Sequence, residues 1–244
     1  MKSCFLSKNI VFLLFIAGLL LCCAAFPLFS EESEIEKPAG VRDFFKKISW
    51  FAEASVLFFP EDNGLNSDPM PVLPSPGMGT SFPFTNMFRM ELTLDLYFTH
   101  YGFCDTLNRA IPNAIENRTA RVAGSILGLQ AALHYDITHF MTVRAFAGPA
   151  ADLRIIIMAA NLTEGLDDLA AIREEVDLVR DYFWSSGRWF MPVMGLGADF
   201  TLNPRFRMGI DLRVWAPAYR LWTNEDLPAI EGWRFGPGLR LTIR

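Results

Sequence analysis

The sequence predicts an all-β protein: an eight-stranded antiparallel transmembrane β-barrel with a short helix in its third extracellular loop. First, segments of alternating polar and apolar residues recur along the chain, with the period of two that is typical of β-strands. Second, short and long connections alternate between these segments. Third, the chain of 244 residues is 51% hydrophobic, although no apolar run after residue 30 is long enough for a membrane-spanning helix. Strands are therefore expected to cross the membrane.

The N-terminal residues predict export. Lys2 and Lys8 precede an unbroken apolar stretch, residues 10–21, and small residues follow it as far as Ala25. This order is typical of a secretory signal peptide, with cleavage after Ala25. The predicted division of the chain is a signal peptide at 1–25, a periplasmic leader at 26–48 and an outer-membrane barrel at 49–244.

The cysteines and the net charge exclude several classes of protein. Cys4, Cys22 and Cys23 lie in the predicted signal peptide, which leaves Cys104 and hence no internal disulfide. Two alternatives stay open at this stage: cleavage near Ser30, and a lipoprotein signal that uses Cys22 or Cys23. The formal net charge of -5 argues against a nucleic-acid partner.

Eight segments are predicted as strands. In the clearest one, Arg89–Thr99, Glu91, Thr93 and Asp95 share one face while leucines occupy the other, an arrangement that a helix would scatter around its axis. Proline residues make the second segment the weakest. The predicted strands are Trp50–Phe59, Val72–Phe84, Arg89–Thr99, Val122–Asp136, Phe140–Ile157, Arg188–Leu202, Arg205–Trp215 and Trp233–Arg244.

The connections agree with this strand count. Outer-membrane barrels place short turns on the periplasmic side and long loops outside. Starting from a periplasmic N-terminus, the predicted connections alternate between long and short, and the eighth strand returns to the periplasm. The long ones are residues 60–71, 104–120, 158–187 and 221–231, and the short ones are residues 85–87, 137–139 and 203–204.

The third long loop predicts an acidic amphipathic helix at residues 164–182. Apolar residues recur there at helical intervals among aspartates and glutamates. Because an apolar stripe is not stable in water without a partner, we expect this helix to pack on the barrel mouth or on neighbouring loops. The stripe consists of Leu166, Leu169, Ile172, Val176 and Val179.

The polar face of the strands is predicted to line the lumen. A soluble β-sandwich or lipocalin-like barrel would also alternate, with its apolar face inward. All five lysines, however, lie at or before position 47, and arginine suits confined positions because its planar fork pairs with carboxylates. The predicted lumen charge network is Glu53, Arg89, Glu91, Asp95, Arg144, Asp152, Arg154, Asp199, Arg207, Asp211, Arg213, Arg234 and Arg240.

With these features in view, residues 49–244 resemble small eight-stranded outer-membrane proteins of the OmpW type, in particular their divergent spirochaete relatives. The resemblance lies in the topology and in the alternating polar and apolar pattern of the strands, and not in a short motif. It implies a narrow path for small, often hydrophobic molecules, with loops that face the host or the medium. Two features depart from that pattern: the charged lumen, and Arg244 where such barrels commonly end in an aromatic residue recognised during assembly.

Three functions follow as hypotheses. The first is a narrow outer-membrane channel for small solutes. The second is a closed barrel that serves as a structural anchor or a surface-interaction protein, since eight strands enclose only enough space for side chains or one small ligand. The third, more remote, is a lipid-acting enzyme whose site would lie near His100, Tyr101 and Asp105. Expected partners are outer-membrane lipid, the barrel-assembly machinery, and small solutes or host surface molecules.

No catalytic, cofactor or metal site is predicted. An enzyme needs a nucleophile, a base and an orienting group within reach of one another, and no serine lies beside His134 and Asp136. His134 and His139 flank a turn and Cys104 has no neighbouring ligand, which does not match a zinc site. We therefore expect the protein not to be an enzyme.

Overall fold

The protein folds as a closed antiparallel β-barrel. The computed structural model describes residues 48–61, 72–104, 109–112, 119–160, 169–227 and 229–243, so the predicted signal peptide and nearly all of the predicted leader lie outside the described residues. The strand segments are β1 (Ser49–Leu57), β2 (Leu73–Pro83), β3 (Phe88–Cys104), β4 (Arg109–Pro112), β5 (Thr119–Thr138), β6 (Met141–Gly148), β7 (Ala150–Ala160), β8 (Val193–Thr201), β9 (Phe206–Trp215) and β10 (Arg234–Ile243).

These segments make eight barrel strands. Pairing runs from β3 through β2, β1, β10, β9 and β8 to β6, and β5 closes the ring between β3 and the β6–β7 strand. The segments β6 and β7 are two halves of one strand, and β4 pairs with the end of β3 on the edge opposite β5, beyond the end of β2. The predicted fold class is therefore confirmed, including the strand number.

The break between β6 and β7 occurs at Pro149, because proline has no N–H to donate to the ladder. Its carbonyl still accepts a hydrogen bond from Leu129 N at 3.0 Å. The preceding residue, Gly148, lies against the Leu129 carbonyl so closely that a Cβ atom would clash there. A glycine and a proline together thus let one long strand bend without leaving the barrel wall.

Short turns lie at one end of the barrel, where the sequence predicts them. In the turn before β3, Thr85 Oγ1 accepts a hydrogen bond from Phe88 N at 2.9 Å. In the turn before β9, Asn203 Oδ1 accepts from the N–H groups of Arg205 and Phe206, both at 2.9 Å. These side chains satisfy backbone donors that the tight reversal leaves without strand partners.

The barrel wall is much taller on one side. Strands β1, β2, β8, β9 and β10 have 9 to 11 residues, about the length that spans a membrane. Strands β3 and β5 have 17 and 20 residues, and together with β7, which pairs with β5 as far as Thr119, they project past the shorter strands at the end that carries the long connections. The predicted 104–120 loop was partly wrong, since it contains β4. Four residues are too few for alternation to be recognised.

The outer face of the barrel is apolar. Large hydrophobic side chains point away from the lumen and remain exposed, among them Leu196 at 62%, Leu239 at 59% and Ile210 at 54%. A closed barrel with charged residues inside and an exposed apolar band outside is the arrangement of outer-membrane β-barrels. The protein is thus an outer-membrane barrel. None of the helices in the described ranges is both long and apolar enough to cross a membrane.

The third long loop contains the predicted helix, α1 (Leu169–Trp184). Residues 164–168, including Leu166 of the predicted stripe, lie outside the described residues. Val179 is buried as expected, and the adjacent Tyr182 and Phe183 are also buried. The helix packs against β3, β4 and β7 at the mouth of the barrel, where its apolar side chains find the partner that their spacing requires.

Candidate functional site: the barrel lumen and its cap

All thirteen residues of the predicted charge network lie on the inward face of their strands. Eleven of them are buried, while Arg89 and Arg207 are partly exposed near the short turns. Charged side chains are almost never buried unless they are paired. The strand register groups the buried residues into three clusters along the barrel axis.

The periplasmic cluster consists of Glu91, Arg144, Asp199, Asp211 and Arg240. Arg144, on β6, contacts carboxylates from three other strands: its Nε lies 2.8 Å from Asp199 Oδ2, its Nη1 lies 3.4 Å from Glu91 Oε2, and its Nη2 pairs with Asp211. Arg240 donates from both Nη atoms to the two oxygens of Glu91, each at 2.8 Å. The cluster therefore joins strands from opposite walls of the lumen.

The central cluster consists of Glu53, Asp95 and Arg213, from β1, β3 and β9. The two Nη atoms of Arg213 donate to the two oxygens of Asp95 at 2.7 and 3.1 Å, and Nη2 also pairs with Glu53. The guanidinium carbon lies 5.3 Å from the ring centroid of Trp215. One arginine thus bridges the lumen from β9 to the opposite wall, in the bidentate geometry that arginine favours.

The extracellular cluster consists of Tyr97, Asp152, Arg154, Glu231 and Arg234. Asp152 Oδ2 accepts from Arg154 Nε at 2.8 Å and from Arg234 Nη2 at 2.6 Å, and Tyr97 OH donates to Oδ1 at 2.8 Å. Arg154 Nη1 also donates to Glu231 Oε1 at 2.5 Å. Two arginines and two carboxylates balance here, so this cluster carries no net charge.

Glycines provide the space for these side chains. A Cβ atom at Gly197 would clash with Asp211, one at Gly77 with Asp95, and one at Gly209 with Asp199. In each pair the glycine faces the carboxylate residue on the neighbouring strand. The glycines thus allow a charged side chain to lie flat across the lumen wall, which a larger residue at the paired position would prevent.

An aromatic cap covers the extracellular cluster. We define the cap as Tyr101, Phe183, Met191, Trp215 and Ile230, all of which are at most 3% exposed. The Tyr101 and Phe183 rings meet edge-to-face with centroids 4.8 Å apart, and the Arg154 guanidinium lies 5.0 Å from the Phe183 ring. Strand ends and two different long connections supply these residues, so the cap closes the extracellular mouth.

Two ion pairs tie the long connections to one another. Arg220 donates to both oxygens of Glu61, at 3.0 and 2.6 Å, and Arg188 donates to Glu225 Oε2 at 2.9 Å. Burial acts to lower the pKa of Arg220, but its interactions with Glu61 and Tyr219 together outweigh burial, and the pKa lies above the ordinary value. Burial raises the pKa of Tyr219 to about 12, so this phenol stays neutral.

Two of the remaining sequence candidates, His100 and His134, lie towards opposite ends of the barrel. His134 Nε2 lies 3.7 Å from Glu91 Oε1. His100 alternates with the inward Tyr101 and so faces outward, while Asp105, its proposed companion, is outside the described residues. Within the described ranges no three His, Cys, Asp or Glu side chains converge as metal ligands.

Sequence reasoning missed Tyr97 and Glu231 of the extracellular cluster and most of the cap. Tyr97 lies on the inward face of β3 in the alternation, which is a usable signal, but a neutral phenol does not belong to a network chosen by charge. Glu231 follows a long connection and precedes β10, so no strand period places it. Its position depends on the short 3-10 helix at Ala229–Glu231.

Comparison with known proteins returns solved barrels and no sequence family. No family model matches the chain, and no curated protein matches it. Neisserial surface protein A (NspA) covers 80% of this chain and 94% of its own, with 10% identity and a TM-score of 0.44. OprG from Pseudomonas aeruginosa covers 81% and 96%, with 10% identity and a TM-score of 0.43. Ail from Yersinia pestis covers 80% and 94%, with 9% identity and a TM-score of 0.38. The assignment of the barrel rests on its own strand pairing and outer face.

Proposed function

We propose that this protein is a closed outer-membrane barrel whose long connections form a surface for interaction with molecules outside the cell. The observation that supports this most directly is Arg213, which crosses the lumen from β9 to Glu53 on β1 and Asp95 on β3. A guanidinium in that position occupies the path that a solute would take. An eight-stranded barrel has little further space beside it.

The energetics of the lumen also favour closure. Removing one partner of a buried ion pair costs about 3 to 5 kcal/mol, and each buried arginine of the network pairs with at least one carboxylate in the three clusters. Opening a path would separate several such pairs at once. The aromatic cap adds a second barrier, since its apolar side chains exclude water above the extracellular cluster.

The outward face of α1 is the part of this surface that the structure describes best. Asp177, Arg180, Asp181 and Trp184 are exposed there, and Arg180 Nη1 lies 2.8 Å from Asp177 Oδ1. Exposed tryptophan and arginine are enriched among the residues that dominate protein interfaces. We infer that a host molecule or another surface molecule binds at this face. A barrel that acts only as a structural anchor would expose the same surface.

Single-channel recording in planar bilayers tests the proposal. We expect refolded wild-type protein to show no conductance steps, and the triple variant Glu53→Ala, Asp95→Ala, Arg213→Ala to stay closed because the periplasmic cluster remains. Arg205→Gln, at an exposed turn, is the matched control. Defined conductance steps from the wild-type protein would contradict a closed barrel.

A narrow channel for small solutes is the second candidate. The polar lumen, which opens towards the short turns at Arg89 and Arg207, favours it. If the barrel conducts, deletion of residues 164–182 is expected to raise conductance or shift selectivity towards anions, because acidic residues such as Asp177 and Asp181 leave the entrance. A deletion variant that is heat-modifiable on gels but has zero conductance would reject the channel.

The OmpW-type relationship stays part of this proposal. It rests on the eight strands, the alternating connections and the helix in the third long connection. The expected role of the assembly machinery in recognising the C-terminal strand is likewise a proposal. It is tested by asking whether replacing Ile243 or Arg244 changes the amount of folded barrel in the membrane.

A further inference from the structure

We propose that the periplasmic mouth of the barrel binds hydrogen phosphate. The strand ends there surround an open polar pocket, which we call the mouth pocket. Its position between the short turns makes it accessible from the periplasm and separates it from the aromatic cap at the other end. Its walls include Ser81, Arg89, Asp199, Arg207, Arg240 and Thr242.

The charges of the mouth pocket favour an anion. Three arginines line it against one carboxylate, Asp199, and Arg240 is already held by Glu91. The Arg207 side chain makes no hydrogen bond or ion pair with any residue in the described ranges, and its Nε is buried. A buried donor without a partner is costly, so an oxyanion that accepts from this N–H would stabilise the pocket.

Asp199 restricts which anion fits. Its Oδ2 pairs with Arg144 Nε at 2.8 Å, whereas its Oδ1 receives no hydrogen bond from the described residues. A fully deprotonated ion such as sulfate would meet this oxygen with repulsion only. Hydrogen phosphate carries negative oxygens for arginine and a P–OH group that can donate to Asp199 Oδ1. The pocket thus pairs a vacant donor with a vacant acceptor.

A second guanidinium is held in place on the pocket wall. Arg89 donates from Nε to Ser81 Oγ and from Nη2 to Ser49 Oγ, both at 2.7 Å. Arg240 Nε donates to Thr242 Oγ1 at 3.3 Å. These hydroxyl groups hold the arginine side chains in fixed orientations, which is the preorganisation that anion binding requires.

Titration calorimetry of the full mature protein in octyl glucoside tests the proposal, with inorganic phosphate and sulfate compared at a mildly alkaline pH where both are dianions. We expect saturable phosphate binding and sulfate binding about tenfold weaker or less, the effect of one charge-assisted hydrogen bond. Arg207→Gln should weaken phosphate binding about tenfold, and Arg207→Lys less. Arg205→Gln, two residues away on the exposed turn, should leave binding unchanged.

The Asp199→Asn variant is the more discriminating test, because it should raise the affinity for sulfate towards that for phosphate, whereas the other variants should not. Heat-modifiability on gels checks that each variant is folded. Methyl phosphate carries no P–OH at this pH, because its second pKa is about 6, so it should bind as weakly as sulfate. Methyl phosphate that binds as tightly as inorganic phosphate would contradict the role of the P–OH group. Equal affinity of wild type for the two dianions, unchanged binding by Arg207→Gln, or no saturation up to about 10 mM phosphate would overturn the proposal.

Discussion

The lumen and the cap both close the barrel, but they do so with different chemistry. Within the membrane, Arg144 and Arg213 each hold carboxylates from several strands. Above it, Phe183 and its neighbours exclude water by apolar contact. Loss of one partner of an ion pair leaves an unpaired buried charge, which is costly. The stabilisation from apolar contacts instead decreases in proportion to the buried area that is lost. Substitutions in the two regions should therefore differ in how much they destabilise the protein and in how far the effect extends from the substituted residue.

Arg144→Ala should have the largest effect. It leaves the carboxylates of Glu91, Asp199 and Asp211 without their shared guanidinium, and we expect a loss of about 3 to 5 kcal/mol in the free energy of unfolding. Urea unfolding in lipid vesicles, followed by tryptophan fluorescence, measures it. Arg205→Ala at the exposed turn should change stability by less than about 0.5 kcal/mol. A loss below about 1 kcal/mol for Arg144→Ala would show that the network is not closely coupled.

The outer face gives the next largest effect. Ile210 lies midway along β9 and is 54% exposed, so Ile210→Arg should cost about 2 to 4 kcal/mol in a bilayer. Ile243→Arg, at the last described residue of β10, should cost only about 0 to 1 kcal/mol because it lies near the interface. The same unfolding assay compares the two, and equal costs would mean that the membrane band is placed wrongly.

Phe183→Ala should act locally. It removes the ring that contacts Tyr101 and the Arg154 guanidinium, but the strand ladder below remains. We expect faster protease cleavage in the third long connection and a change in barrel stability of less than about 1 kcal/mol. Trp184→Ala, at the adjacent exposed position, is the control. A barrel that unfolds as a whole when Phe183 is truncated would mean that the cap and lumen form one cooperative unit.

Glu61→Gln should have the smallest effect, because its ion pair with Arg220 lies near the surface. The expected loss is below about 1 kcal/mol and should shrink as salt is added. Comparing wild type and variant at low and high ionic strength measures it, with Asp181→Asn on the exposed face of α1 as a control. A loss that does not depend on salt would argue that Glu61 packs as part of the cap instead.

The strands were predictable because membrane barrels alternate at every residue. Both faces of Arg89–Thr99 could be read from the sequence, since lipid accepts apolar side chains only and the lumen demands paired charges. The same reasoning placed Glu53 and Arg213 on the inner face. It could not say that these two meet, because pairing across the lumen depends on strand order and tilt.

The cap was less predictable for a physical reason. Helical spacing indicated α1 and the burial of Val179, yet Tyr182 and Phe183 lie past the stripe that we identified. Their burial depends on where the helix meets Tyr101 and Arg154, which are distant in sequence. The position of Glu231 was equally hard to predict, because its partner Arg154 lies on β7, which is distant in sequence. Contacts between connections carry no short-range period.

The unequal height of the barrel wall affects how a large molecule can approach. The additional residues of β3 and β5 rise roughly 15 to 20 Å above the rim of the shorter strands, given the usual rise and tilt of barrel strands. The extracellular side is therefore a step and not a level ring, with α1 attached to the high side. In a crowded membrane, adjacent barrels would block the access of large molecules to the low side, whereas the high side would stay accessible to them laterally.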